Sequence, residues 1–279
     1  MIRPDTFEGL SIFRPPLVYE LTGRRFELVM DDGFDRTLYF TDRKMLRFGP
    51  AGEEKEYAYE CLKSADDCYF VNFEDLSMFP RVGITLVLDL EQDLVTMALA
   101  YLGQDPKIPK MPASEFVFGG IRREDGSVQR IRHGYTSDLV GKSIDWYYGS
   151  FNIAHVYATE RYYRVAFTPR AIERIRRNDP TMFQKPPEGA PADIYEDYLT
   201  VIKIKDQVYL VGLLETILAR RNGHGASLLV LMDLNEMHDV GRSFNITEDG
   251  KNENYLFGAF GCFYDASGSL AKKSGYHIR

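Results

Sequence analysis

The side chains best suited to acid–base chemistry lie in the second half of the chain. A strand-like run there places His155 and Tyr157 on one face, because alternate residues of a strand point the same way. Glu215 follows the apolar run 209–214. A carboxylate at that place is either exposed at the mouth of a barrel or paired inside it, because an unpaired buried charge is costly. If it is buried, its pKa rises and it can act as a general acid or base. With Tyr148, these three residues are the candidate catalytic groups.

Three further residues are candidates for binding a ligand: Trp146, which is the only tryptophan, Tyr163 and His238. Each also has a purely structural interpretation. A strand histidine is often hydrogen-bonded in a core, a barrel tyrosine usually packs with its hydroxyl satisfied, and Glu215 could be a strand-end surface charge. The concentration of these residues in one half of the chain favours a functional pocket there.

The two halves of the chain are copies of one fold. Residues 23–48 align without a gap with residues 141–166, sharing a glycine, two acids and a Tyr-x-Thr pattern. The match resumes between 66–73 and 206–213, in the same order. Such a long period indicates duplicated domains, each large enough to bury its own core.

The alignment also shows what distinguishes the copies. The position of His155 is occupied by Thr37 in the first copy, and that of Trp146 by Leu28. The second copy therefore carries polar and aromatic residues where the first carries smaller or aliphatic ones.

The elements that would position these residues are short strands. Tyr, Phe, Val, Ile and Thr are abundant and alternate with polar residues, and Asp-Gly pairs at 32–33 and 249–250 are typical of hairpin turns. The pattern predicts an all-β protein, a tandem duplication of an antiparallel barrel. A short helix is predicted over 169–177, inside an insertion at 168–192 that either lines a pocket or covers a sheet edge.

Domain boundaries follow from the repeat and from proline content. We place the first barrel at residues 1–103, a proline-containing linker at 104–137, and the second barrel with its polar tail at 138–279.

Composition limits the classes of function. A net charge of −7 disfavours a nucleic-acid partner, and no apolar stretch is long enough to span a membrane. With three cysteines and no secretory signal, we expect a cytoplasmic protein that binds a small molecule. A monomer and a homodimer are both compatible with the sequence. There is no Gly-rich phosphate loop, HExxH or CxxC motif, so we predict neither a metal nor a cofactor.

At several of these residues the chain resembles the MoaF family, named for molybdenum cofactor biosynthesis protein F. The likeness rests on runs such as 69–73 and 86–90 in the first half, and 155–157, 237–242 and 257–259 in the second. It implies two calycin-like (lipocalin-type) antiparallel barrels. The family name implies a link to molybdenum cofactor biosynthesis but little mechanism.

The second half also resembles the phenolic acid decarboxylases, which are single small calycin barrels. The run 146–148 is similar to their tyrosine pair, Glu215 falls where their glutamate would, and Arg164 is the candidate for their arginine. The Pro-Thr-Gly expected after the glutamate is replaced by residues 216–218, Thr-Ile-Leu. The resemblance implies a pocket of that kind.

The leading hypothesis is a cofactor-independent enzyme of lyase, isomerase or cyclase type. Its substrate would be a small aromatic or unsaturated acid or ketone in the second barrel. Glu215 or His155 would transfer a proton while Tyr148 and Tyr157 donate hydrogen bonds. The alternative is a non-catalytic carrier of an aromatic or pterin-like ligand, and a third option is a scaffold without a ligand.

Overall fold

The computed structural model describes residues 12–77, 81–102, 111–148, 152–167, 194–216, 225–246 and 252–263. Every element in these ranges is a β-strand, so the all-β prediction is confirmed. The helix predicted over 169–177 lies outside the described residues. The strands are β1 (Arg25–Met30), β2 (Arg36–Phe40), β3 (Met45–Gly49), β4 (Lys55–Ala65), β5 (Cys68–Asp75), β6 (Val82–Asp89), β7 (Leu94–Leu102), β8 (Pro112–Ile121), β9 (Gly134–Tyr135), β10 (Ser143–Tyr147), β11 (Asn152–Tyr157), β12 (Tyr162–Phe167), β13 (Ile194–Lys205), β14 (Val208–Leu214), β15 (Ala226–Asp233), β16 (His238–Ile246) and β17 (Asn252–Phe263).

The first barrel is an antiparallel meander of β1 to β8 that closes by pairing β8 with β1. Its strands alternate as the sequence predicts, so β1 turns Phe26, Leu28 and Met30 inward. Strand β8 lies within the segment predicted as linker, yet it pairs with both β7 and β1. The first barrel therefore extends to Ile121. The proline content predicted a linker here, but Pro112 is the first residue of β8, a position at which a strand tolerates proline.

The second barrel repeats this design with β10 to β17, which closes through the pairing of β10 with β17. The short strand β9 adds to β13 from the connecting segment. Strand order and direction match in the two barrels, and so do their turns. Gly23 and Gly141 have φ angles of 82° and 80°, and Asp67 and Gln207 have φ angles of 50° and 58°. The predicted tandem duplication of a closed antiparallel barrel is therefore confirmed.

The copies correspond with one correction to the sequence alignment. The N–H of the turn glycine donates to the Phe40 carbonyl in the first copy (2.8 Å) and to the Tyr157 carbonyl in the second (2.9 Å). Tyr157 is thus equivalent to Phe40, and His155 is equivalent to Leu38 rather than to Thr37. The connection between the first two strands is one residue shorter in the second copy, which an ungapped alignment cannot represent.

The barrels pack against each other through apolar outer faces. Side chains from both copies form a single buried cluster between them. Gln92 adds a polar link, because its amide donates to the Ile204 carbonyl of the second barrel (3.2 Å). Members of the cluster include Leu62, Phe70 and Val87 from the first barrel and Ile202, Leu210 and Leu231 from the second.

Candidate functional site

The inner wall of the second barrel carries four large aromatic side chains that are at most 4% exposed. Three come from the first three strands of the copy and Tyr148 directly follows β10, and all four belong to the interior cluster of this barrel. The equivalent positions in the first barrel hold aliphatic, thioether or phenyl side chains. The four are Trp146, Tyr148, Tyr157 and Tyr163, in place of Leu28, Met30, Phe40 and Leu46.

Glycines on the facing strands make room for these rings. A Cβ atom at Gly261 would lie 2.6 Å from Cζ3 of Trp146, and a Cβ atom at Gly241 would collide with the ring of Phe257. The Phe257 ring in turn lies 5.8 Å from the ring of Tyr148. A larger residue at either glycine would displace an aromatic ring from the wall.

Asp239 is the polar centre of this wall. It lies on β16 with none of its surface exposed, where the first barrel has Val95. Its Oδ1 accepts the Ala259 N–H (2.8 Å), and its Oδ2 has no hydrogen-bond partner among the described residues. Burial raises the pKa of Asp239 well above its ordinary value. Burial therefore favours the protonated carboxyl, which is the form that can donate a hydrogen bond into the barrel.

The tyrosines around Asp239 are also held in their protonated form. Burial raises the pKa of Tyr148 well above its ordinary value, and the neighbouring Asp239 carboxyl adds to the effect. Burial likewise raises the pKa of Tyr157, whose hydroxyl donates to Sδ of Met232 (3.3 Å). The Trp146 indole approaches that hydroxyl and opposes the rise in its pKa, without reaching hydrogen-bond geometry.

Three buried polar atoms on this wall consequently lack a protein partner within the described ranges. They are Oδ2 of Asp239, Nε1 of Trp146 and the Tyr163 hydroxyl. Native proteins rarely leave such atoms unpaired, so each would be expected to bind water or a ligand group. We call the wall formed by these three residues with Tyr148, His155 and Tyr157 the polar wall.

His155 lies on the polar wall as the sequence predicted, with 7% of its surface exposed. Its ring centroid is 5.5 Å from that of Tyr163 and 6.4 Å from that of Tyr157. Burial lowers the pKa of His155 to about 4. The imidazole is therefore neutral at pH 7 and only weakly basic.

Glu215 follows β14 directly and is half-buried. It continues the inward alternation of Val211 and Leu213, and its carboxylate adds to the rise that burial causes in the pKa of Tyr148 and Tyr163. The next residue, Thr216, donates from its hydroxyl to Oδ1 of Asp197 on β13 (2.7 Å). Glu215 therefore lies at the end of the barrel, close to the polar wall.

Two predicted ligand-binding residues lie outside the barrel. Nε of Arg164 pairs with Oε2 of Glu196 at 2.8 Å on the outer surface. Nε2 of His238 lies 3.1 Å from the Phe13 carbonyl, and its ring contacts Phe260 at 4.8 Å. Arg164 and His238 are each one position away from an inward residue, so strand alternation points their side chains outward. The arginine of the decarboxylase resemblance is therefore not supplied to the interior by Arg164.

Sequence reasoning missed Asp239, although a signal was present. Asp239 alternates with the outward residues His238 and Val240 and falls where the first copy has the interior residue Val95, which marks it as an inward polar position. Among the described residues, no group of three or more His, Cys, Asp or Glu side chains could hold a metal ion. In the same ranges no helix has the length and apolar character needed to cross a bilayer.

The comparison with family models identifies the first barrel. Residues 5–104 match the MoaF N-terminal domain. The family resemblance is thus confirmed. The match spans β1 to β7, and the two barrels fit the two-domain calycin-like description. It links the chain to the molybdenum cofactor biosynthesis context from which the MoaF family takes its name and gives no catalytic activity. Among curated proteins, none matches the chain significantly.

Proposed function

We propose that the second barrel is a cofactor-independent enzyme site that moves a proton next to the carbonyl group of a small aromatic or unsaturated ketone. The observation that carries the proposal is Asp239, a fully buried carboxyl with an unpaired oxygen on a wall of protonated tyrosines. An apolar site that keeps a carboxylic acid neutral lets it donate a hydrogen bond to a developing enolate.

Two donors could serve the carbonyl oxygen of the ligand. Burial favours the protonated form of both Asp239 and Tyr148, and the Asp239 carboxyl is close enough to Tyr148 to contribute to the rise in its pKa. Removing a proton next to a carbonyl puts negative charge on the oxygen, and fixed donors in a dry site stabilise that charge strongly.

The proton acceptor in this proposal is Glu215. Its half-buried position keeps it in reach of solvent, while its effect on Tyr148 and Tyr163 places it near the polar wall. His155 is the weaker candidate, because a pKa of about 4 leaves little basicity at pH 7. Its neutral ring would rather contact the ligand.

The charge of the interior favours a neutral ligand over an acid. No Lys or Arg side chain belongs to the polar wall in the described residues, and Lys203 pairs with Asp138 (3.0 Å) at the opposite end of β14. A carboxylate ligand would enter without a counter-ion and close to Glu215, which is unfavourable. A ketone carries the needed oxygen without that charge.

Acetophenone, a small aromatic ketone, tests the proposal. Binding should quench the fluorescence of Trp146, the only tryptophan in the chain. Proton NMR in D2O should show deuterium exchange into the methyl group of the ketone. Glu215→Gln should retain quenching and slow exchange by about a hundred- to ten-thousand-fold. Tyr148→Phe should weaken both, and Met30→Leu in the first barrel should change neither.

Two results would reject the catalytic proposal. Quenching without any exchange in the wild-type protein would favour the carrier, which the MoaF context also fits. No quenching at all would remove the second barrel as the site for this class of ligand.

A further inference from the structure

A cleft of about 480 Å³ opens on the first barrel, where β4 and β5 separate. Their pairing begins at Tyr59 opposite Phe73, whereas β4 residues before Tyr59 pair only with β3. Beyond Phe73, Asp75 pairs with Val82 of β6. The two strands therefore diverge toward one end of the barrel, and the cleft lies between them.

Aromatic rings form one side of this cleft. Tyr57 and Phe73 line it with ring centroids 5.2 Å apart, and Tyr59 lines it beside them. The volume falls within the range of small-molecule sites, which are commonly lined by aromatic side chains with few polar groups.

Carboxylates form the polar part of the lining. Four acids line the cleft against a single basic residue, Lys55. Asp75 is only 6% exposed and accepts hydrogen bonds from the Ser77 N–H (2.9 Å) and the Tyr57 hydroxyl (3.3 Å). Although burial favours the protonated form, the Ser77 hydrogen bonds keep the pKa of Asp75 below its ordinary value. The acids are Glu56, Glu60, Glu74 and Asp75.

Glu74 adds an unpaired acceptor to the same lining. Its Oε1 is buried without a hydrogen-bond partner among the described residues, and Nη1 of Arg81 lies 3.6 Å away. Lys55 reaches Oδ2 of Asp75 only at 4.0 Å, with its side chain 65% exposed. Both carboxyl groups thus have room for a better-placed cation.

We propose that this cleft binds a small aromatic amine in its cationic form, with the ammonium group at Asp75 and the ring against Tyr57 and Phe73. The four carboxylates outnumber the basic side chains that approach them, Lys55, Arg81 and Arg14, and this disfavours an anion. Tyrosine and phenylalanine rings attract a cation over their faces, and a partly buried carboxylate supplies the charge-assisted hydrogen bond. The site is separate from the polar wall and does not depend on the function proposed for it.

Three compounds with one ring and different charges test this inference: benzylamine, benzyl alcohol and benzoate. Amide chemical shifts of residues 55–60 and 72–77 should respond in a saturable way to benzylamine, weakly to the alcohol and not to benzoate. Trp146 fluorescence should stay constant, because that residue lies inside the other barrel.

Variants identify the anchor. Asp75→Asn should lower the benzylamine affinity at least tenfold, and Lys55→Met should raise it several-fold, because it removes a competing cation. Glu124→Gln, an exposed acid outside the cleft, should leave it unchanged. Benzoate binding as tightly as benzylamine, or weaker benzylamine binding by Lys55→Met, would overturn the inference. If Asp75→Asn does not fold, the Lys55→Met result decides alone.

Discussion

The two barrels share a fold and differ in what they enclose. The interior of the first is built from Leu, Val, Ile, Met, Phe and a few tyrosines. The second replaces Leu38 with His155 and Val95 with Asp239 at equivalent inward positions. Burying a polar group without a partner costs about 1–3 kcal/mol. In a duplicated fold, one copy can contain such destabilising polar groups while the other keeps an apolar core.

The comparison suggests a division of roles between the barrels. Polar groups that destabilise a fold persist where function needs them, and they concentrate in the second barrel. The first barrel instead has its polar groups at one end, in the cleft where β4 and β5 separate.

The largest expected effect contrasts the equivalent residues Phe40 and Tyr157. Phe40 is completely buried in an apolar core, so Phe40→Ala should lower the free energy of unfolding by about 3–5 kcal/mol. Tyr157→Phe keeps the ring and removes only a hydroxyl bonded to Met232, so it should cost less than about 1.5 kcal/mol. Urea denaturation measures both. A loss at Tyr157 as large as that at Phe40 would contradict the asymmetry.

The second effect depends on pH and belongs to His155. Its pKa is lowered to about 4 in the folded protein from 6.5, so the unfolded state binds the proton first as the pH falls. Stability is therefore full above about pH 6.5 and decreases toward pH 4, by roughly 3 kcal/mol at about 1.4 kcal/mol per pKa unit.

Replacing this histidine should flatten the acid response. His155→Leu, which copies the first barrel, should lose less stability than the wild type when urea denaturation is repeated at pH 7.5, 6 and 5. His238→Leu is the matched control: burial also lowers the pKa of His238, but its hydrogen bond to the Phe13 carbonyl opposes the change. We therefore expect His238→Leu to reduce the loss of stability at low pH by less than His155→Leu does. Equal acid sensitivity of His155→Leu and wild type would show that the ring is hydrated.

A third effect has the opposite pH dependence and belongs to Asp239. Its pKa is raised in the folded state, so the unfolded state loses the proton first as the pH rises above its ordinary value. Wild-type stability should therefore decrease from pH 4 toward pH 7 relative to Asp239→Asn, which cannot ionise. Thermal unfolding of both proteins across that range measures the difference. A constant difference would mean that the carboxyl is ionised in the folded protein.

Much of the fold could be predicted because it follows from the local alternation of inward and outward residues along each strand. The inward positions of Trp146 and Tyr148 follow from period-two patterning, and so does the outward position of Arg164, which the site prediction overlooked. His238 and Asp239 are neighbours on β16, and alternation turns His238 outward to the Phe13 carbonyl and Asp239 inward to the Ala259 N–H. The site prediction therefore named the residue next to the one that faces the interior.

Other features depend on contacts that are distant in sequence. The cleft follows from where β4 stops pairing with β5, and no local pattern in 55–65 indicates that point. Closure by β8 depends on its pairing with β1, far away in the chain. The unpaired oxygen of Asp239 likewise depends on which side chains of other strands fail to reach it.

The smallest expected effect compares Glu215 with Asp75. The two residues are equivalent, because each lies two positions beyond the last inward residue that the fifth strand of its copy pairs with the fourth. Asp75 accepts hydrogen bonds from Ser77 and Tyr57, so Asp75→Asn should lower the free energy of unfolding by about 1–2 kcal/mol. Glu215→Gln should stay within about 0.5 kcal/mol, because glutamine preserves the shape of a half-buried strand-end residue. Differential scanning calorimetry of the two variants decides this. Should Glu215→Gln destabilise as much as Asp75→Asn, the glutamate holds the barrel end together as its counterpart does. It would then be a structural residue rather than a proton acceptor, and the chemistry of the polar wall would have to begin from Asp239 alone.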